Sequence, residues 1–139
     1  MEIIYDNPEG IRDTILNVSV DDTVNAIHTL NNRKSCYVVI LQFQGRYLTI
    51  TGGIDKFFLV FINKIDDRRH TKLLNPKFTD VEDWVHTCIG HDSGEDIYHI
   101  KYMMDRETTI HIATHFVETG YLPKGYLWER ELKGMYAPE

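Results

Sequence analysis

The stretch CYVVILQFQGRYLTITGGIDKFFLVFIN, residues 36–63, contains three apolar runs rich in β-branched and aromatic residues. These residue types favour extended backbone, and the runs cover residues 36–43, 47–51 and 57–63. The linker Gln44-Gly45-Arg46 has hairpin length, and Gly52-Gly53 allows positive φ before the third run. The stretch therefore predicts an antiparallel three-stranded meander that supplies most of a hydrophobic core.

Elements on both sides of the meander predict the rest of the fold. Period-two patterns and β-rich runs predict strands over residues 14–20, 72–74, 81–89 and 97–104, with a polar loop over 90–96. Asp21-Asp22 is predicted to cap a helix that runs to about residue 31. A second helix should begin after Asp105 and bury one face, made of Ile110, Ala113, Phe116 and Val117. The sequence thus predicts one α+β domain over residues 1–139, with about five to seven mainly antiparallel strands and two packed helices.

The segment after the second helix predicts a sharp turn into a last strand. Gly120 follows the final helical turn, where a left-handed residue closes a helix at least cost. Pro123 cannot continue the helix and favours an extended path. Tyr126 and Trp128 are two residues apart and should share one face of the strand, with Leu127 on the other. The unit is predicted to fold the helix back onto the sheet.

Composition and charge exclude several classes of function. The chain carries 21 acidic and 15 basic residues, for a formal net charge of −6. Nucleic-acid binders make phosphate contacts with clustered Lys and Arg, and no such cluster occurs in the sequence. Cys36 and Cys88 lie in apolar runs, which predicts that both are buried free thiols. The N-terminal residues have no pattern of a secretory signal and no apolar run reaches the roughly 20 residues of a membrane span, so we expect a cytoplasmic location without membrane contact.

Seven histidines raise the possibility of a metal site. His111 and His115 are four residues apart on the second predicted helix, the spacing of two zinc ligands. A zinc protease would need a glutamate general base where Ile112 stands, so that mechanism is absent. The third ligand would have to come from His86, His91 or His99, and no spacing specifies which. We predict no metal and no cofactor.

Two other classes of function remain open. A small hydrolase-like enzyme could use the region of His86, His91 and His99 with nearby carboxylates, namely Asp92, Glu95 or Asp96. No nucleophile motif accompanies these residues, so we predict no catalytic residue. A ligand-binding or regulatory module of the same fold class is the second alternative.

The segment 103–129, MMDRETTIHIATHFVETGYLPKGYLWE, resembles the C-terminal signature of immunity protein family one (Imm-one) of bacterial polymorphic toxin and contact-dependent inhibition systems. The signature has an apolar pair, a helix with small and apolar residues, an aromatic-x-x-Thr-Gly-x-x-Pro motif and a following Trp-Glu. The matching positions are Met103, Met104, Ala113, Phe116, Thr119, Gly120, Pro123, Trp128 and Glu129. The early helix and the hairpin at residues 47–61 also resemble the family. The resemblance carries over no catalytic residues and implies that the signature residues have a structural role.

The resemblance implies a non-enzymatic protein that binds the C-terminal domain of a cognate toxin, often a nucleic-acid deaminase or nuclease, and blocks its active site. Residues 64–95 match nothing in the family, and contacts specific to one toxin would accumulate in such a stretch. Trp is enriched among residues that dominate binding energy, and Trp84 lies among carboxylates that would suit a basic toxin. The predicted interface is Asp80, Glu82, Asp83, Trp84, Asp92, Glu95 and Asp96; the alternative is a solvated loop beside a partly buried Trp84.

Overall fold

A computed structural model describes residues 1–6, 11–30, 38–53, 57–67, 69–88 and 95–130, without the side chains of 86–88 and 95–96. Within these ranges the chain forms two α-helices, α1 Val20–Thr29 and α2 Arg106–Thr119. The strands are β1 Glu2–Asp6, β2 Arg12–Leu16, β3 Val38–Phe43, β4 Arg46–Gly52, β5 Phe57–Lys64, β6 Thr71–Leu74, β7 Trp84–Cys88, β8 Glu95–His99, β9 Met103–Asp105 and β10 Leu127–Arg130. Neither helix of the described residues has the length and hydropathy needed to cross a membrane.

Eight of the described strands form one antiparallel sheet in the order β10-β6-β5-β4-β3-β1-β2, with β9 paired to the other end of β5. The predicted meander is its centre, since β3 pairs with β4 and β4 with β5. Gln44 and Gly45 both have positive φ, at 49° and 74°, which suits a two-residue hairpin turn. The predicted α+β class, with a mainly antiparallel sheet and two helices, is confirmed.

Both helices pack on one side of this sheet, which we call the helix face. Alternate residues of the central strands point to that side, and Leu48 and Ile50 of β4 are fully buried there. The helices contribute Ala26, Ile27 and Leu30 from the first helical segment and Ile112, Ala113 and Phe116 from α2. Burial of α2 therefore centres on Ile112, whereas Ile110 and Val117, which the sequence predicted to be buried, are half-buried at the edge of the core.

The opposite side, the outer face, is partly covered by a separate two-stranded ribbon made of β7 and β8. A second apolar cluster joins the two layers: Val85 and Tyr98 of the ribbon pack against buried Leu59, Phe61 and Met103. Residues Phe58 to Phe61 of β5 are all buried, because both sides of the strand are covered. This explains why the run FFLVFI shows no alternation with polar residues.

Helix α1 starts earlier than the sequence predicted. Its N-cap is Ser19, whose hydroxyl accepts the Asp22 backbone N–H at 3.1 Å while the Asp22 carboxylate accepts the Ser19 N–H at 3.1 Å. This reciprocal capping box places Asp21 and Asp22 in the first turn, where the helix dipole favours acids. The strand predicted over residues 14–20 consequently lies at Arg12–Leu16 and ends before Asn17, which has a positive φ of 52°.

The strand predicted over residues 97–104 is divided into two strands in different sheets. A 3-10 turn at Ile100–Tyr102 separates β8 from β9. Asn75 holds the turn, since its backbone N–H donates to the Lys101 carbonyl at 2.7 Å and its side-chain amide donates to the Met103 carbonyl at 2.9 Å. The predicted polar loop is also shorter at its C-terminal end, because Glu95 and Asp96 belong to β8 and pair with Cys88 and Thr87.

The turn after α2 has the predicted geometry. Gly120 has φ +77°, and its N–H donates to the Phe116 carbonyl at 2.7 Å. A Cβ at this position would lie 2.5 Å from an edge carbon of the Phe43 ring, so both backbone and packing select glycine. Pro123 is buried, and β10 then pairs with β6 through Trp128 opposite Leu73. Tyr126 and Trp128 pack on the core, whereas Leu127 is exposed.

An ionic network fastens β10 to the turn between β5 and β6. The Asp67 carboxylate accepts from the Arg69 guanidinium at 3.1 and 3.0 Å and from Arg130 at 2.7 Å. These charged hydrogen bonds, above all those from Arg69, lower the pKa of Asp67 well below its usual 3.8. The ionised form is thus the form that the folded chain stabilises.

We expect Asp67→Asn to reduce stability at pH 7 and to matter progressively less in acid. A carboxyl group with a depressed folded-state pKa stabilises the fold above its unfolded-state pKa, and that contribution is lost as the pH falls through the folded-state pKa. Urea denaturation of both proteins at pH 7, 4 and 2 measures the difference, since the contribution should be complete at pH 7 and largely lost at pH 2. A difference in unfolding free energy that is the same at pH 7 and pH 2 would contradict the role of the ionised carboxylate.

Candidate functional site

The β7–β8 ribbon has one buried face and one face directed away from the sheet. Its register places Trp84 opposite His99, Val85 opposite Tyr98 and His86 opposite Ile97. Because side chains alternate along a strand, Trp84, Ile97 and His99 share the face opposite to Val85 and Tyr98. The latter two contact the sheet, so the face that carries Trp84 looks outward.

Two large apolar side chains are exposed on this outward face. Trp84 is 57% exposed and Ile97 is 56% exposed. Val81, which precedes the ribbon, is 40% exposed. Isolated exposed apolar residues are ordinary on protein surfaces, but a tryptophan and an isoleucine on one face of a short ribbon form a local apolar surface.

The indole of Trp84 is positioned by a buried histidine. Its ring meets the His99 ring edge-on, with centroids 5.2 Å apart and planes at 71°. His99 is only 9% exposed, and its Nδ1 accepts the Lys101 backbone N–H at 3.0 Å. An Nδ1 that accepts leaves the proton of a neutral imidazole on Nε2, which faces the Glu82 carboxylate at 3.6 Å. His99 thus fixes one side of the indole and leaves the rest exposed.

Three exposed carboxylates immediately precede Trp84 in the chain. Asp80, Glu82 and Asp83 are all exposed, and the Glu82 side chain retains 84% of its accessible surface. Asp83 also shapes the backbone: its carboxylate accepts the Trp84 N–H at 2.9 Å and its carbonyl accepts the Ile100 N–H at 2.9 Å. We call this surface the Trp84 patch, defined by Asp80, Glu82, Asp83, Trp84 and Ile97.

Four of the seven residues predicted for the interface, namely Asp80, Glu82, Asp83 and Trp84, have described side chains, and all four are exposed. The backbones of Glu95 and Asp96 lie in β8 beside the patch, and their side chains are outside the described part of the chain, as is all of Asp92. The sequence prediction missed Ile97. The sequence could have indicated Ile97, because Ile97 alternates with the inward-facing Tyr98 along a strand that buries one face.

The histidine-based alternatives receive limited support from the described residues. His91 and the His86 side chain lie outside them, so the predicted group of three histidines can be placed only at His99. The His111 and His115 ring centroids are 6.4 Å apart, and the described residues contain no group of three or more side chains able to hold a metal. His115 Nδ1 instead lies 2.9 Å from the Tyr121 carbonyl, where a ring N–H would tie α2 to the turn that follows it.

The residues of the C-terminal signature occupy positions of packing and turn formation. Phe116 is fully buried, and Thr119 accepts the Tyr121 N–H at 3.1 Å through its hydroxyl. Gly120 closes the helix, Pro123 is buried, and Trp128 is half-buried against the core. None of them belongs to the Trp84 patch, although Met103, another position of the signature, packs beneath the ribbon against Val85 and Tyr98.

Comparison with known proteins adds no assignment. No family model matches the chain, and no curated protein matches it with significant similarity.

Proposed function

We propose that this protein is an immunity protein that binds and neutralises the C-terminal domain of a cognate secreted toxin in the cytoplasm, and that the Trp84 patch is its docking surface. The resemblance of segment 103–129 to immunity protein family one motivates the class of function. The observation that supports the Trp84 patch as the docking surface is that the Trp84 indole is 57% exposed and yet packs edge-on against the buried His99 ring. A preformed aromatic anchor binds with little loss of side-chain entropy.

The chemistry of the patch suits a basic partner. A toxin that cuts or deaminates nucleic acid presents cationic residues to the phosphate backbone. The exposed carboxylates of Asp80, Glu82 and Asp83 would face those cations, while Trp84 and Ile97 supply the apolar centre of the contact. Rim charges of this kind raise the association rate and restrict the choice of partner more than they raise affinity. Inhibition then follows from occlusion of the toxin's substrate groove, with no reaction catalysed by this chain.

The proposal is tested with the polypeptide encoded by the adjacent upstream reading frame. Cells that produce its C-terminal domain alone should stop growing, and co-production of this chain should restore growth. The purified pair should form a complex whose association slows as salt increases, because salt screens the charges of the patch. Failure to restore growth together with failure to bind would reject the proposal.

A further inference from the structure

A second surface differs from the acidic Trp84 patch because it carries an excess of positive charge. A pocket of about 140 Å³ is lined by Arg46, Ile62, Asn63, Lys64, Asp67, Arg69, Thr71 and Arg130. These described lining residues include four cations and one carboxylate, a formal excess of three positive charges. The whole chain has a net charge of −6, so the local balance is opposite in sign to the global one.

Sheet register explains how cations that are far apart in sequence come together. Arg46 of β4 pairs with Lys64 of β5, Ile62 of β5 pairs with Thr71 of β6, and Thr71 pairs with Arg130 of β10. Four adjacent strands thus present these residues in a row at one end of the sheet. The sequence shows only single basic residues and isolated pairs, which is why it showed no cationic cluster.

Two of the cations are fixed before any ligand arrives. Arg46 donates to the Gly120 carbonyl, and its guanidinium carbon lies 5.3–5.8 Å from the centres of the Phe43, Phe116 and Tyr121 rings. Arg69 is held by two hydrogen bonds to Asp67. A guanidinium has five N–H donors, so these contacts leave donors on both groups for a further acceptor.

We propose that this pocket binds a phosphate group, either as free phosphate or as the phosphate of a mononucleotide. Arginine forks match the oxygens of a phosphate, and a doubly charged oxyanion would balance most of the excess charge. The volume also favours a single group, since pockets for drug-sized ligands typically exceed about 300 Å³. The pocket shares no residue with the Trp84 patch, and the proposal does not rest on toxin binding.

The test is a calorimetric titration with sodium phosphate at pH 8, at an ionic strength kept constant with sodium chloride. We expect saturable binding to the unmodified chain and weaker binding, by about tenfold, to Lys64→Gln, since a hydrogen bond to a charged group contributes roughly that much. The Lys64 side chain is exposed and takes no part in the ionic network of Asp67, and its backbone bond to the Asp67 N–H is kept in the variant, so the variant should fold normally. Lys77→Gln is the matched control, because it removes another exposed lysine beyond the opposite end of β6.

Parallel titrations identify the carrier of the phosphate group. Adenosine 5′-monophosphate that binds more tightly than phosphate, with the same loss in Lys64→Gln, would indicate a nucleotide; equal affinities would indicate free phosphate. Sodium acetate should bind far more weakly than either. The proposal is overturned by the absence of saturable binding of both phosphate and the nucleotide, or by equal affinities of Lys64→Gln and Lys77→Gln for them.

Discussion

Replacing Phe116 with alanine should lower the free energy of unfolding by about 3–5 kcal/mol, as expected for removal of a fully buried aromatic side chain. Phe116 is 0% exposed and lies where α2 meets the helix face of the sheet. Its ring also lies 5.6 Å from the Arg46 guanidinium carbon, so truncation removes an apolar contact and a cation–π contact together. Urea denaturation followed by circular dichroism measures the change.

The control for this variant is Val117→Ala on the same helix. Val117 is only half-buried at the margin of the core, so its truncation should cost much less. Natural domains have total stabilities of about 5–15 kcal/mol, so this loss would leave a domain at the low end of that range largely unfolded. Phe116→Leu, which keeps most of the volume, should then be folded and intermediate in stability. A cost for Phe116→Ala no larger than that of Val117→Ala would show that the helix does not depend on this contact.

The meander and α2 could be predicted from sequence because their signals are local. Paired residues with positive φ at Gly52-Gly53, the capping carboxylate of Asp105 and the left-handed Gly120 each act within a few residues. Such features depend on neighbours in the chain, which a sequence displays directly. The helix ends and the central strands were accordingly close to their predicted positions.

The two strands of the ribbon were predicted, over residues 81–89 and 97–104, and the structure has strands at Trp84–Cys88 and Glu95–His99. Their separation from the main sheet as a second layer could not be predicted, because its cause is not local. The break between β8 and β9 depends on Asn75, which is 28 residues from its acceptor Met103. Without that contact, residues 97–104 have a pattern that suits one continuous strand. The uninterrupted apolar run of β5 indicates that both faces of the sheet are covered at this strand, but it does not specify which segment covers the second face.

The distinction between local signals and contacts of distant segments also applies to the two candidate surfaces. Trp84 and its carboxylates are close in sequence, so their chemistry was visible before the fold was known. Ile97 reaches the patch through strand pairing, and the cationic pocket requires four strands in register. A surface assembled from distant segments is recognised only when the pairing is known.

Replacing Trp84 with alanine should weaken binding to the cognate toxin by at least about 2 kcal/mol, or roughly 30-fold, as for an interface residue that dominates binding energy. The exposed part of the indole is the largest apolar surface of the Trp84 patch that a partner could cover. Because Trp84 is 57% exposed in the free chain, the folded state depends on it much less than on Phe116. We expect a faster dissociation rate, measured by surface plasmon resonance, with a nearly unchanged melting temperature.

Leu16→Ala provides the matched control, since Leu16 is a comparably exposed apolar residue, at 68%, on β2, an edge strand of the main sheet that does not belong to the ribbon. It should leave affinity unchanged. Glu82→Gln separates the contribution of charge from that of the aromatic anchor: it should slow association while leaving dissociation almost unaltered, because rim charges act mainly on encounter. If Trp84→Ala and Leu16→Ala bind the toxin equally well and both protect cells, the inhibitory surface lies elsewhere on the chain. If Trp84→Ala loses both binding and folding, the indole is part of the core, and the division between a structural signature and a separate docking surface fails.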